Sequence, residues 1–383
     1  MLRYATSPTR DMNIADLREA IINYLYAQKI GDNFIVRIED IDKKRNIGGK
    51  DEEILMILEK FALPHSQLFH QSQNLHIHQT LAIRLLQEDK AFISTTNESL
   101  DKNLDINRLK EDKIAFSIRI KAPNGDNFII LQDDKTPTQN FASACDDMLS
   151  GVDFIICREE NLANTLKQEY IKTQLGYIDN TKYIYLPTIL NSTNSIKSLL
   201  EDGFLPDAII NYLILIGNET PKEIFTMPEA IEWFEVENIS TTSVEFDIEK
   251  LKFINREHLK LIDNKKLSSL FGFDDNDIGE LAKLYLQEVS TINELKIKIE
   301  AIFAPKDFDS KWGEEMKIIK NTIFNAPMID SFEEFEKYIM VESGLEGEKL
   351  SKPLNLIMTS VQSEVALDAI YPLIKSYITE VVS

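Results

Sequence analysis

Residues 1–46 switch from strand spacing to helical spacing and back. A short strand beginning at Leu2 is expected to run into the turn Ser7-Pro8-Thr9. Apolar residues then recur at Ala15, Leu17, Ile21, Ile22, Tyr24 and Leu25, and this spacing predicts a helix that begins near Asn13. The run Phe34-Ile35-Val36-Arg37-Ile38 predicts a second strand, with Glu39, Asp40 and Asp42 just past its end. Together they make a β-α-β unit. In an open parallel sheet, ligands bind outside the carboxyl ends of the strands, so Arg3, Ser7 and Glu39 are expected at one crevice.

Helical spacing resumes over 51–61, and again from Gln71-Ser72-Gln73-Asn74 through His76, Ile83, Leu85 and Leu86. Residues 94–113 are polar, with Asn and Asp scattered among Ser and Lys. Strand alternation returns at 114–120 and 128–131, a helix is expected after Thr165, and from about residue 258 the spacing is helical throughout. The pattern is that of an α/β first part followed by an all-α second part.

Composition narrows the reading. A chain of 383 residues suggests two or three domains, and 43% hydrophobic content is ample for packed cores. The two cysteines, Cys145 and Cys157, cannot build a disulfide framework, which suits a reducing compartment. With no signal segment and no apolar run of about 18 residues, a cytoplasmic protein without membrane association is expected. A formal net charge of −21 works against binding nucleic acid, because affinity for phosphates depends on Lys and Arg. Locally basic faces can persist in an acidic protein.

His65, His70, His76 and His78 cluster in the sequence, but no carboxylate or Cys sits at metal-ligand spacing, so no metal site is assigned. His76 and His78 are expected on different sides of one helix. The carboxylates of Glu39, Asp40 and Asp42 have the chemistry to hold Mg²⁺. The alternative is that Asp40 and Asp42 fix turns and pair with Arg37 or Lys43.

The opening stretch closely resembles that of the class I glutamyl-tRNA synthetases. In that family the first strand ends in R-F/I-A-P-S-P-T-G, H-x-G-G follows, and R-I-E-D-T-D comes later. Arg3, Ala5, Ser7, Pro8 and Thr9 match the first motif, and residues 37–42 differ from the last only at Ile41. Further on, Thr136-Pro137-Thr138-Gln139-Asn140-Phe141-Ala142, residues 146–151 and residues 155–165 resemble G-T-P-T-Y-N-F-A, D-D-H-L-M-G and V-I-R-G-E-D-H-L-S-N-T. Residues 246–255 resemble F-D-x-x-K-L-x-W-L-N of the stem-contact region. The similarity is long and colinear.

It implies a Rossmann-type class I synthetase catalytic domain, followed by all-α stem-contact and anticodon-binding-like domains. The implied division is 1–93 and 131–240 for the two catalytic halves, 94–130 for a shortened acceptor-stem-binding-like insertion, 241–300 for stem contact and 301–383 for the anticodon-binding-like helices. The implied activity is ATP-dependent attachment of glutamate to tRNA, with ATP and Mg²⁺ as cofactors. By the same resemblance the amino acid meets Arg3, Ala5, Ser7, Glu39, Gln139 and Cys157, and ATP meets Thr9, Asn13, Ala15, Asp16 and Glu159. No catalytic residue is assigned.

Several of these positions depart from the family pattern. H-x-G-G reads Asn13-Ile14-Ala15-Asp16, and the glycine after Thr9 is Arg10. Asn13 can donate a hydrogen bond but cannot carry positive charge, and Asp16 puts a carboxylate where a polyphosphate would approach a helix N-terminus. Gln139 stands on the tyrosine of T-P-T-Y. Cys157 stands on the arginine that holds a substrate carboxylate, as a cysteine does in the glutaminyl branch, so a neutral amino acid becomes conceivable. Neighbouring Arg158 is expected to face the other way.

The lysine-bearing loop that would clamp the triphosphate is missing between Leu190 and Ser195, and Lys197 aligns with the following helix. After Arg256 there is no arginine, and residues 301–383 hold eight Lys against fourteen Asp plus Glu. Three readings follow. The first is a pseudo-synthetase acting through a small ligand or a protein partner such as an intact synthetase. The second is a working ligase for glutamate or a neutral amino acid, and the third a non-catalytic tRNA-binding module.

Overall fold

The computed structural model describes residues 1–95, 111, 115–177, 181–192, 194–360 and 365–383. It divides into two compact units, one of residues 1–199 and 210–247, the other of residues 200–209 and 248–383.

In the first unit, β1 (Leu2–Thr6) pairs in parallel with β2 (Phe34–Ile38), with Leu2 opposite Phe34 and Thr6 opposite Ile38. The crossover is α1 (Ile14–Ile30), which starts at the N-cap Asn13 and stops at Gly31, a left-handed residue at φ 66°. All five residues of β2 are buried, as the interior strand of a parallel sheet requires. A third parallel strand, β3 (Gln67–His70), completes the order β1-β2-β3. Its sequence, Gln-Leu-Phe-His, is short and half polar and shows no strand alternation. Pairing with β2 makes it a strand.

After α2 (Lys50–Lys60) and α3 (Leu75–Gln87) comes an antiparallel sheet of β4 (Ala91–Thr95), β5 (Phe116–Ile120) and β6 (Phe128–Leu131). Its inner face, with Ile118, Ile120 and Ile130, shares a core with Phe141 and Ile171. The polar insertion expected over 94–113 lies almost wholly outside the described residues. Next, α4 (Gln139–Leu149) leads to β7 (Phe154–Arg158), α5 (Leu162–Gln174) and β8 (Lys182–Leu186), with β7 and β8 parallel. Helix α5 begins ahead of Thr165, not after it, because the 3-10 turn Glu159–Asn161 winds straight into it. The short strand β9 (Ile189–Leu190) and helix α6 (Ile196–Glu201) follow, then α7 (Pro206–Leu215) and α8 (Met227–Trp233), and β10 (Val244–Glu245) returns to pair with β9.

The second unit is helical from α9 (Ile248–Leu261) to the last helix, Ile378–Val381. One continuous apolar cluster holds it together, including Leu259, Ile278, Leu295, Ile319, Phe335 and Leu354. Gly313 is required by a close approach, since a Cβ there would meet the Phe308 carbonyl oxygen at 1.8 Å. Among the described residues, no helix is long and apolar enough to cross a membrane.

Candidate functional site

Two adjacent aspartates in the middle of α4 anchor the crevice from below. Asp147 accepts from Arg3 through Nε at 2.9 Å and Nη2 at 3.3 Å, and from Arg37 Nη1 at 2.5 Å. Arg3, Arg37 and Asp147 are all buried. Arg37 Nη2 also donates to Glu39 Oε1 at 3.0 Å. Glu39 in turn accepts from Ser143 Oγ at 2.9 Å and Gln139 Nε2 at 2.8 Å. Burial opposes the charges of Arg3, Arg37 and Asp147, but their opposite charges prevail. Arg3 and Arg37 are held above the usual guanidinium range, chiefly by Asp147, while the two arginines hold Asp147 below the usual carboxylate range.

Asp146 points the other way. It accepts from Gln71 Nε2 at 2.9 Å, Asn74 Nδ2 at 2.9 Å and His78 Nε2 at 2.8 Å, tying α4 to the start of α3. His78 is fully buried and His76 is exposed, on different sides of α3. His70 meets Asp51 instead of the other histidines. Among the described residues, no three His, Cys, Asp or Glu side chains gather where they could hold a metal.

Arg3, Ala5, Glu39, Gln139 and Cys157 line one cavity, together with Glu19, Ser143 and Tyr183. Ser7 lies in the adjoining cavity with Thr9, Arg10, Asp16 and Arg158, and the two cavities share Ala5, Glu19, Glu39 and Gln139. The crevice expected from the β-α-β unit is therefore present as two connected halves. Asn13 and Ala15 line neither half, and Glu159 is exposed in the turn after β7.

The Cys157 thiol is 5% exposed, and burial pushes it up to about 12, so it stays protonated. It offers a substrate carboxylate no charge. Arg158 does not face away from the crevice. As the last residue of β7, where the pleat gives way to a 3-10 turn, it lines the cavity holding Asp16 and Glu19. Nor do Asp40 and Asp42 pair with Arg37 or Lys43. Asp40 accepts from the Ser72 backbone N–H and hydroxyl at 2.8 and 2.6 Å, and Asp42 accepts from the Lys44 N–H at 3.3 Å.

At the start of α1 the chain satisfies its own helix end. Asn13 Oδ1 accepts from the Asp16 N–H at 2.9 Å, and Asp16 Oδ2 accepts from the Asn13 N–H at 3.0 Å, a reciprocal capping box. Arg10 grips the same carboxylate with both terminal nitrogens, at 2.7 and 2.9 Å. Arg158 reaches it at 3.4 Å and donates to Glu19 Oε2 at 3.2 Å. The Asp16 carboxylate does stand at the helix N-terminus, as expected, and is paired there with two arginines. The cap also engages the Asn13 and Asp16 N–H groups. Glu19 is buried, and desolvation pushes it up to about 7.

The stretch after β9 closes on this same corner. Ser195 bridges to Asn13, and the Ile196 N–H donates to the Met12 carbonyl at 2.9 Å. Residues 191–195 carry no lysine or arginine. At the start of α1 the Asn13 and Asp16 N–H groups and the guanidiniums of Arg10 and Arg158 are already engaged, which leaves a triphosphate fewer donors there.

A family model for the catalytic domain of class I tRNA synthetases (E and Q) matches residues 1–111 and 99–253. The chain is 52% identical to glutamate–tRNA ligase 2 of Sulfurovum sp. (strain NBC37-1), with all of both chains covered. This chain belongs to the glutamyl-tRNA synthetase family. It is also 42% identical to glutamate–tRNA ligase 2 of Sulfurimonas denitrificans, again over the full length of both. A solved glutamate tRNA ligase from Elizabethkingia meningosepticum, in complex with its amino acid, has the same fold, with a TM-score of 0.80 at 20% identity over 100% of this chain and 98% of that one. The alignment with the Sulfurovum ligase runs over 429 positions against 383 residues here, so that relative has segments with no counterpart in this chain.

Sequence reasoning passed over Asp147, Arg10, Glu19 and Arg158 as site residues. The available signal was charge in apolar surroundings. Glu19 stands among Leu17, Ala20 and Ile21, and Asp147 follows Ala144 and Cys145 on a buried helix.

Proposed function

We propose that this member of the glutamyl-tRNA synthetase family retains an amino-acid crevice but has lost most or all of its adenylate-forming chemistry, and acts as a pseudo-synthetase. The observation that carries this reading is the connection from β9 to α6, which has no cation and is fastened to Met12 and Asn13. In a working member, ATP with Mg²⁺ supplies the activating phosphoryl chemistry, and the protein's part is to place donors where charge develops. Here Asn13 spends its side chain on the helix cap, and Arg10 and Arg158 are bound to carboxylates.

The amino-acid half supports ligand binding better. Each charge of its floor, Arg3, Asp147, Arg37 and Glu39, has an opposite partner, and the neutral Cys157 faces the same space. Across both halves, Arg3, Arg10, Arg37, Arg45 and Arg158 stand against Asp16, Glu19, Glu39 and Asp147, with Arg45 exposed in the half that holds Arg10. The half lined by Cys157 suits a zwitterion with an uncharged side chain better than glutamate, because its two guanidiniums, Arg3 and Arg37, already hold carboxylates. tRNA is the family's substrate. For this chain, contact with tRNA or with an intact synthetase belongs to the proposal.

ATP–pyrophosphate exchange, run with each amino acid with and without total tRNA, tests the reading. Loss of one preorganised donor typically slows such chemistry by ~10²–10³. Exchange should therefore fall at least that far below an intact family member assayed alongside. Robust amino-acid-dependent exchange would overturn the proposal in favour of a working ligase.

A further inference from the structure

The disagreement between the start of α1 and a nucleotide goes beyond missing contacts, because three charged side chains from separate segments meet there. Arg10 comes from the turn after β1, Asp16 from the first turn of α1 and Arg158 from the end of β7. In the motifs quoted above, these three positions are glycines. Glycine leaves backbone open to close approach by a ligand, and any side chain fills that space. The side chains that fill it here are complementary. Asp16 takes two bonds from Arg10 at 2.7 and 2.9 Å and a third contact from Arg158 at 3.4 Å, and all three line one cavity.

Independent drift at three positions would ordinarily leave a buried charge unmatched. The Asp16 side chain is only 9% exposed, and an unpaired carboxylate there would be costly. It is matched on both sides, and its second task is to close the capping box. The positive end of α1, the part of a helix that attracts phosphate, is therefore occupied by a carboxylate from within the chain.

We propose that Arg10, Asp16 and Arg158 form a built-in plug that excludes nucleotides, so that the crevice takes an amino-acid-sized ligand alone. The inference rests on the reading of the crevice given above. It differs in assigning the exclusion of ATP to this cluster and not to the shortened β9–α6 connection. Nucleotide binding and nucleotide chemistry thereby separate. Opening the plug restores the first without the second.

The test is the binding of a fluorescent ATP analogue with Mg²⁺ to the full chain, followed by anisotropy. Wild type is compared with R10A/D16A, with circular dichroism melts confirming that both are folded. The double variant should bind at least about tenfold more tightly than wild type, while ATP–pyrophosphate exchange stays absent in both. Equal affinity in wild type and R10A/D16A would overturn the plug. Should the double variant fail to fold, R10A alone decides the question, because the Arg10 side chain is half exposed and the capping box remains. A gain of about threefold is expected for it, and an unchanged affinity overturns the proposal. Exchange by wild type would instead sink the functional reading, which distinguishes the two failures.

Discussion

The two halves of the crevice are both built from arginine–carboxylate contacts, yet they differ in depth and in what the contacts support. In the amino-acid half, Arg3, Arg37 and Asp147 are buried and join two strands to a helix. In the nucleotide half, Arg10 is 49% exposed and grips a carboxylate six residues away. A buried pair cannot lose one partner without stranding the other charge, whereas half-exposed Arg10 can leave while Arg158 and the capping box still hold Asp16. The floor of the crevice is therefore held by the fold, and the half lined by Arg10 is held less firmly.

Three measurements can break or sharpen that contrast. The largest effect is expected for Asp147→Ala, which leaves Arg3 buried without its carboxylate and Arg37 with Glu39 alone. A loss on the order of 3–5 kcal/mol in chemical denaturation is expected. A loss below about 1 kcal/mol would mean that the floor is no more committed than the surface.

Glu19, shared by both halves, should show itself through pH. Burial raises its carboxyl in the folded protein from 4.5 to about 7, so the folded state keeps its proton where the unfolded chain has released it. Its contribution to stability is therefore greatest below 4.5, declines as pH rises toward about 7, and is flat above that. Glu19→Gln removes this dependence. Relative to wild type the variant should gain on the order of 1–3 kcal/mol between pH 5 and pH 8 in thermal melts. A pH-independent difference would show that Arg158 already holds Glu19 ionised in the folded protein.

The smallest effect on stability is expected for Arg10→Ala, about 0–1 kcal/mol by the same melts, since Arg10 is half in water and Arg158 and the capping box still hold Asp16. A larger loss would place this pair with the buried network and erase the contrast.

Much of the scaffold was legible in the residues themselves. The strand Phe34–Ile38 is apolar except for Arg37, and the helix from Ile14 announces its cap at Asn13 and its stop at Gly31. Of the positions expected at the amino-acid pocket, Arg3, Ala5, Glu39, Gln139 and Cys157 line one cavity and Ser7 an adjoining one; the β-α-β crossover brings Arg3, Ala5, Ser7 and Glu39 to neighbouring strand ends. The strand Gln67–His70 was not legible, since half of it is polar and only the free edge of β2 recruits it.

Local spacing determined this protein's α/β beginning, its helical remainder and the family to which it belongs, because periodic burial and short motifs are written within a few residues of one another. Partnership among charges was decided only by tertiary structure. That Asp147 takes Arg3 and Arg37, that Arg158 turns into the crevice, and that Arg10, Asp16 and Arg158 converge all depend on side chains brought together from positions far apart in sequence. A charge's preference for a partner has no period, so nothing along the chain reveals which one it will meet.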